Sequence, residues 1–217
     1  MQSQQLRNDL RKAYDKRSRE REASTMQEWK IGERSRFLSV LQQEHKRKLL
    51  ELGAGPGRDG KYFQDQGFEV VCIDLSPAMI ALCRQKGLTA YVMDMSDIDL
   101  PGDSFDAVYA MNSLLHLTKE EFRGILHRID GLLRAAGVVY IGMYGGYDHE
   151  GIWEADSYVP QRFFSFFADE RLESEVRKVF DILTFERVYF EADSPIHFQS
   201  LVLKKRPLQQ GLAHGPA

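Results

Sequence analysis

Residues 48–60, KLLELGAGPGRDG, are an apolar run that breaks into four glycines within eight positions. Glycine weakens strands and helices alike, so a chain that spends four of them here uses bare backbone for a close approach. Leu49–Leu52 is a strand candidate, and the residues after the glycines start a helix through Tyr62 and Phe63. A strand that ends in a glycine turn and feeds a helix exposes backbone N–H groups to a ligand.

The strand–helix rhythm then repeats. Phe68–Ile73 is a second strand ending at Asp74, and Ser76-Pro77 opens a helix that runs to about Lys86 and stops at Gly87. Thr89–Met93 is a third strand ending at Asp94, Phe105–Met111 a fourth, and Val138–Tyr144 a fifth, after a helix over Lys119–Leu133 closed by Gly137. Strands alternating with helices at this spacing predict an α/β fold with a parallel, doubly wound sheet. Their near-continuous apolar character fits burial on both faces. After Tyr144 the rhythm breaks into a polar, glycine-bearing loop and the aromatic cluster Phe163, Phe164, Phe166 and Phe167. A helix from about Asp169 to Lys178 precedes two β-rich segments, Asp181–Glu191 and His197–Lys204, expected as an antiparallel pair at the sheet edge.

Residues 4–21 and 25–43 read as helices ahead of the sheet, the second with Trp29, Ile31, Phe37, Leu38 and Leu41 mostly on one face. Residues 1–48 carry 13 Lys/Arg against 7 Asp/Glu, within a chain of net charge −3. Acids interleave with these bases, which describes a solvated amphipathic helix better than a nucleic-acid surface. Cys72 and Cys83, the only cysteines, make neither a disulfide framework nor a zinc site and are expected reduced in or near the core. No apolar stretch is long enough to span a bilayer and the first residues lack a secretory pattern, so a cytoplasmic protein with no membrane partner is expected. The segments divide into a helical cap (1–44), a main domain (45–206) with a lid loop (145–168), and a disordered tail (207–217).

The register of the glycines narrows the ligand. Counted from Gly53, the sixth position is Arg58, where a nicotinamide or flavin fingerprint wants Gly or Ala. An acid, Glu51, stands at the end of the first strand, repelling a pyrophosphate and favouring a cation. Asp74 and Asp94 end the next two strands, where one carboxylate can accept from ribose hydroxyls and the other from an exocyclic amine. Each acid could instead cap the following helix, a respectable alternative for Asp74 before Leu75-Ser76-Pro77, but three such caps at these places by chance are not expected.

ELGAGPGRDG, VVCIDLSPAMI, YVMDMSDIDLP and FDAVYAMNSLLHL, in this order and spacing, resemble the class I S-adenosylmethionine-dependent methyltransferases. The resemblance is nearest to the small-molecule enzymes of the ubiquinone/menaquinone-biosynthesis type and covers about residues 45–145. It implies a Rossmann-like, mostly parallel sheet, S-adenosyl-L-methionine as methyl donor and S-adenosyl-L-homocysteine as product. It implies that Glu51 orders the loop and the methionine amine, and that Gly53, Ala54, Gly55 and Gly57 admit the methionyl portion and ribose. Asp74 would hold the ribose, Leu75 and Met79 the adenine, Asp94 and the Met95 backbone the adenine edge, and Asn112 the sulfonium end. Tyr14, in the AYD of the first helix, resembles the leader tyrosine that closes over the donor.

Methyl transfer from a sulfonium asks a protein mainly for alignment and exclusion of water, with a base only where the acceptor must lose a proton. His116, shortly after the fourth strand, is the candidate for that base or for orienting substrate; the bland alternative is a helix-start histidine satisfied by backbone. Tyr144, Trp153 and Tyr158 are candidate acceptor contacts in an aromatic lid, with most of the phenylalanines in the core. Asp148-His149-Glu150 and Asp94/Asp97/Asp99 hold ligand-type side chains, but adjacent or alternating residues converge poorly on one ion, and no metal is expected. A small-molecule acceptor, methylated at O, N or C by a monomer or homodimer, is the leading expectation. An RNA or protein methyltransferase and a non-catalytic binder of the same donor are the alternatives.

Overall fold

A computed structural model describes residues 2–191 and 194–207; the expected tail lies outside these residues from position 208 on. Two helices come first, α1 (Gln2–Ala23) and α2 (Glu28–Gln43). They are followed by β1 (Lys48–Leu52), α3 (Arg58–Asp65), β2 (Glu69–Asp74), α4 (Pro77–Gln85), β3 (Thr89–Val92) and β4 (Phe105–Met111). A short 3-10 turn (Leu114–His116), α5 (Lys119–Leu132) and β5 (Leu133–Gly145) complete the alternating part. The last third adds β6 (His149–Ile152), β7 (Phe163–Phe166), α6 (Asp169–Val176), β8 (Phe180–Val188) and β9 (His197–Lys205).

Seven strands form one sheet in the order β3-β2-β1-β4-β5-β9-β8. β1 to β5 run parallel, β9 runs antiparallel to β5, and β8 antiparallel to β9. This is the expected Rossmann-like arrangement with an antiparallel pair at one end. The winding reverses between β1 and β4, and the crevice at the carboxyl ends of these strands is where such sheets take ligands.

Successive residues of the inner strands serve opposite layers. Leu50, Val108 and Ile141 pack with Phe122, Ile125 and Ile129 of α5. Leu49, Ala107, Tyr109 and Tyr140 meet Phe37 and Leu41 of α2 and Phe63 of α3 on the other face. Local chemistry sets the helix starts. Thr118 and Glu121 exchange side chain–backbone hydrogen bonds at the start of α5, and Ser76 Oγ accepts from the Met79 N–H at 3.1 Å ahead of Pro77. Cys72 and Cys83 are free and buried, as expected.

Three local expectations need correction. Within 145–168, read as an irregular loop, β6 and β7 pair antiparallel, His149 opposite Phe166 and Ile152 opposite Phe163. Four-residue strands this far apart leave no usable period in sequence, and Asp156 closes the hairpin by accepting from the Arg162 backbone and guanidinium. Helix α5 ends at Leu132 and runs straight into β5, so Gly137 is not its stop. It lies in the strand, where a Cβ would meet Leu133 at 2.9 Å. On α2, Phe37 and Leu41 are buried but Ile31 is 42% exposed, and Glu33 takes a buried place instead. The sheet beneath offers hydroxyls there: Glu33 accepts from Tyr140 OH at 3.1 Å and from Ser200 OH.

Helix α1 packs on α4 and roofs the crevice. Arg7 bridges Asp94 at 2.6 Å and Glu121 at 3.0 Å. Asp15 Oδ1 accepts from Ser76 OH at 2.5 Å and from the Ala78 N–H at 3.2 Å. Arg58 donates to the carbonyls of Arg21 (2.6 Å), Glu22 (2.7 Å) and Ser24, satisfying the end of α1. The arginine that broke the dinucleotide register thus clamps the roof onto the glycine loop.

Candidate active site

Three adjoining cavities of about 40, 60 and 300 Å³ follow one another along the crevice under α1. The first is an apolar slot between Leu75 and Met95, covered by Leu6 and Leu10 and edged by Asp94. The second lies among Tyr14, Gly53, Asp74, Asn112, Ser113 and His116. The third, the widest, is charged: Arg21, Lys30, Glu51 and Asp59 line it with Gly53, Ala54 and Gly55.

The three strand-end acids stand in a row but differ in environment. Asp74 does not cap α4, a task Ser76 performs. Its Oδ2 accepts from the Gly55 N–H and its Oδ1 from the Ser76 N–H, each at 2.8 Å, tying the glycine loop to the β2–α4 turn. Burial outweighs these bonds and pushes its pKa up to about 6. Glu51 is 4% exposed, accepts from Cys72 Sγ at 3.3 Å, and has its pKa pushed well above the carboxylate range by burial and then by Asp59. Asp94 accepts from the Ser96 N–H and OH, both at 2.8 Å, besides its bridge to Arg7. It therefore meets any ligand already partnered.

The glycines divide the labour expected of all of them. Gly53 (φ +69) lies so close to the β4 turn that a Cβ would stand 2.4 Å from Ser113 Cβ. Gly57 (φ +79) lines none of the three cavities; a Cβ there would meet Cys83 Sγ and Leu88 Cδ1 at 2.8 Å, so its bareness serves packing of α3 rather than a ligand. Gly55 faces open cleft, with Arg21 Nη2 at 4.0 Å the nearest atom to a Cβ. Gly53→Ala is accordingly expected to cost about 3 kcal/mol or more in chemical denaturation, from overlap added to left-handed strain. Gly55→Ala is expected to cost about 1 kcal/mol, from strain alone. Equal losses would contradict this division.

Tyr14 and His116, 102 positions apart, meet at 2.7 Å between Oη and Nε2. The other ring nitrogen, Nδ1, lies 2.9 Å from the Phe163 carbonyl, which can only accept. Nδ1 therefore carries the proton, Nε2 is the acceptor, and Tyr14 donates to it. Arg162 donates to Tyr14 Oη at 3.0 Å and is itself held by both oxygens of Asp156 at 2.8 and 2.9 Å. Burial, against the Phe163 bond, lowers the His116 pKa to about 3, so the imidazole is neutral at ordinary pH. Burial also raises the Tyr14 pKa, opposed by Arg162 and Arg21.

A second cavity of about 300 Å³ opens beyond this pair, lined by Tyr144, Trp153, Asp156, Arg162, Phe164 and Phe166 among others. Tyr144 and Trp153 reach it. Tyr158 does not: its ring lies 3.6 Å from the Arg162 guanidinium carbon and 5.7 Å from the Tyr14 ring, so it backs Tyr14. Met79, expected beside the adenine, is fully buried in α4 and lines no part of the slot. Asp148 pairs with Lys119 and Arg171, and Glu150 accepts from the Lys119 N–H.

Several residues here carry no motif. Leu6 and Leu10 are the exception, since with Ala13 and Tyr14 they form a helical stripe visible in sequence. Arg7, Asp15, Arg21, Lys30, Asp156 and Arg162 are ordinary charges until the fold brings them together. The whole lining fits a nucleoside with an amino-acid arm: an apolar slot, an acid beside it, and a charged end of both signs. Asn112 stands on the wall shared by the two larger of the three cavities, φ +53, with its buried Oδ1 unpartnered among the described residues. A polar atom left so at a cavity wall suits a ligand contact.

Residues 49–137 match the family model for a methyltransferase domain. An uncharacterized methyltransferase of Schizosaccharomyces pombe is 35% identical over 109 residues, 45% of this chain and 41% of that protein. The malonyl-[acyl-carrier protein] O-methyltransferase of Enterobacter lignolyticus is 32% identical over 94 residues, 42% and 37% of the two chains. The chain thus spans less than half the length of these curated relatives. Among solved structures, the Burkholderia thailandensis 1,6-didemethyltoxoflavin-N1-methyltransferase, with its substrate and S-adenosylhomocysteine bound, superposes with TM-score 0.63 at 22% identity. That match covers 85% of this chain and 93% of the other, and shows a common fold.

Proposed function

We propose that the chain is a class I S-adenosylmethionine-dependent methyltransferase, on the match of residues 49–137 to a methyltransferase domain, and that it transfers a methyl group from S-adenosylmethionine to a small-molecule acceptor. The observation that carries this reading is the sequence of three environments under α1, which suit in turn a purine, a ribose and an amino acid. Bound there, S-adenosylmethionine supplies an electrophilic methyl group on a sulfonium. Leu75 and Met95 take the adenine, with Leu6 and Leu10 as cover. Asp94 and the Met95 backbone serve the adenine edge, Asp94 giving up part of its pairing with Arg7. Asp74 accepts from the ribose hydroxyls with the lone pairs that Gly55 and Ser76 leave free. Ala54 and Gly55 border the amino-acid arm, Glu51 faces its ammonium, and Asn112 borders the sulfonium.

Tyr14 and His116 act as one unit. An acceptor O–H or N–H beside Tyr14 Oη passes its proton to that oxygen as the Tyr14 proton moves onto His116 Nε2. Tyr144 and Trp153 contact the acceptor, the 145–168 segment is its lid, and residues 1–44 are the cap over the 45–206 domain. The bases of the leader favour this small-molecule reading over an RNA-binding one: Arg7 is spent on Asp94 and Glu121, and Arg21 lines the cavities.

Calorimetry is expected to detect S-adenosylhomocysteine binding, weakened at least about tenfold, or 1.4 kcal/mol, by Asp74→Ala. A folded chain that takes up none of this ligand would remove the reading, and an unchanged affinity would remove Asp74 from the ribose site.

A further inference from the structure

Two cations face the widest of the three crevice cavities beside Glu51 and Asp59, and neither pairs with a carboxylate among the described residues. Arg21 has its Nε buried and unpartnered among the described residues, and its Nη1 reaches only the Tyr158 hydroxyl, at 3.4 Å. The guanidinium carbon stands 5.3 Å from the Tyr14 ring centre. The helix end beside it gives no compensation, because Arg58 already occupies the Arg21, Glu22 and Ser24 carbonyls. Lys30 lies 5.2 Å from the Trp29 ring, and the acid it senses, Asp59, is committed to Arg34 at 3.0 Å. Burial and then the Arg21 charge pull the Lys30 pKa down, so the two cations stand near enough to repel. Asp74 also feels Arg21, but its oxygens are bound to Gly55 and Ser76.

A partly buried cation with no counter-ion is costly, and two that repel are more so. Resting on the donor reading above, the charge count does not close: the donor's one carboxylate is balanced by its own ammonium, its sulfonium adds another positive charge, and both cations stay in excess. Lys30 also points the balance toward the acceptor side, since its neighbour Trp29 meets Tyr144 of the aromatic cavity at 6.3 Å between ring centres. We propose that the methyl acceptor is a small anion, its carboxylate or phosphate group held by Lys30 and Arg21 while its nucleophile faces Tyr14.

The test titrates the S-adenosylhomocysteine-saturated protein with inorganic phosphate and, separately, with acetate, by calorimetry. Phosphate or acetate is expected to bind in the millimolar range or tighter, with at least about tenfold loss in Lys30→Gln and in Arg21→Gln. Which probe binds tells phosphate from carboxylate. Lys30→Gln is expected to keep S-adenosylhomocysteine affinity within about threefold. Uptake of neither anion by the loaded protein, uptake indifferent to both substitutions, or a tenfold loss of S-adenosylhomocysteine affinity in Lys30→Gln would each overturn the proposal. These leave the donor reading standing, whereas failure of S-adenosylhomocysteine to bind would overturn that reading first.

Discussion

Tyr14→Phe is expected to lower kcat by about 10² to 10³ while leaving S-adenosylhomocysteine affinity within about threefold. Phenylalanine keeps the ring that packs against Tyr158 and under Arg21, and removes only the hydroxyl shared by His116 and Arg162. His116→Gln should lose a similar amount. The double variant should be no slower than the slower single one, because residues that act as a unit do not lose their contributions twice. Multiplying losses would mean separate roles. A neutral His116 with its pKa near 3 also predicts no inflection near pH 6.5 from this residue in the free enzyme. Single-turnover rates across pH 5–8 in the wild type and His116→Gln check that directly.

Stability against pH is expected to separate Asp74 from His116, because burial moves them in opposite senses. Asp74 rises from its ordinary 3.8 to about 6, so between these values the folded chain holds a proton that the unfolded chain has lost. Stability from this group is full below pH 3.8 and falls as pH rises through 6, by about 3 kcal/mol in all. His116 falls from 6.5 to about 3, so below pH 6.5 the unfolded chain binds the extra proton. Stability from this group is full above pH 6.5 and is lost on acidification, by about 5 kcal/mol if carried to pH 3. Denaturant titrations at pH 4 to 7 should therefore show Asp74→Asn gaining on the wild type as pH rises, by up to about 3 kcal/mol. His116→Gln should gain on it as pH falls, by a similar amount over the same range. Slopes of the same sign in the two variants would contradict the burial of one of these groups. Any fixed cost of substitution, such as an amide facing the Gly55 and Ser76 N–H groups, shifts the curves without changing their slopes.

Much of the site was legible from strand ends. An apolar run that stops at an acid or a glycine marks both the end of a strand and the edge where ligands collect, so Glu51, Asp74 and Asp94 were placed at that edge by local pattern, and Asn112 only through the family resemblance. Asp94 lies just past β3 rather than in it, yet on the same edge. Met79 and Gly57 were assigned to the donor by their place in the motif, and the fold puts both into packing. A motif records that a small or apolar residue is needed at a position, not which neighbour needs it. Tyr158 failed for a related reason: an aromatic lid residue was foreseeable, but its partner is a helix more than a hundred positions earlier.

The periodicity of apolar residues and the glycine register, both properties of neighbouring positions, were enough to determine the doubly wound sheet and its antiparallel end and to disfavour a pyrophosphate at its edge; the nucleoside itself came from the family resemblance of the motifs. The roof was decided only in three dimensions. Arg7 reaches Asp94, Asp15 reaches Ser76, Tyr14 reaches His116, and Arg162 with Asp156 closes on Tyr14 from the β6–β7 hairpin. These pairs join segments from opposite ends of the alternating part, and charged or hydroxyl side chains leave no period that announces a distant partner. Their physical cause is the sheet order: it gathers the carboxyl ends of four strands at one edge, and α1, laid across that edge, brings its polar residues within hydrogen-bond reach of them.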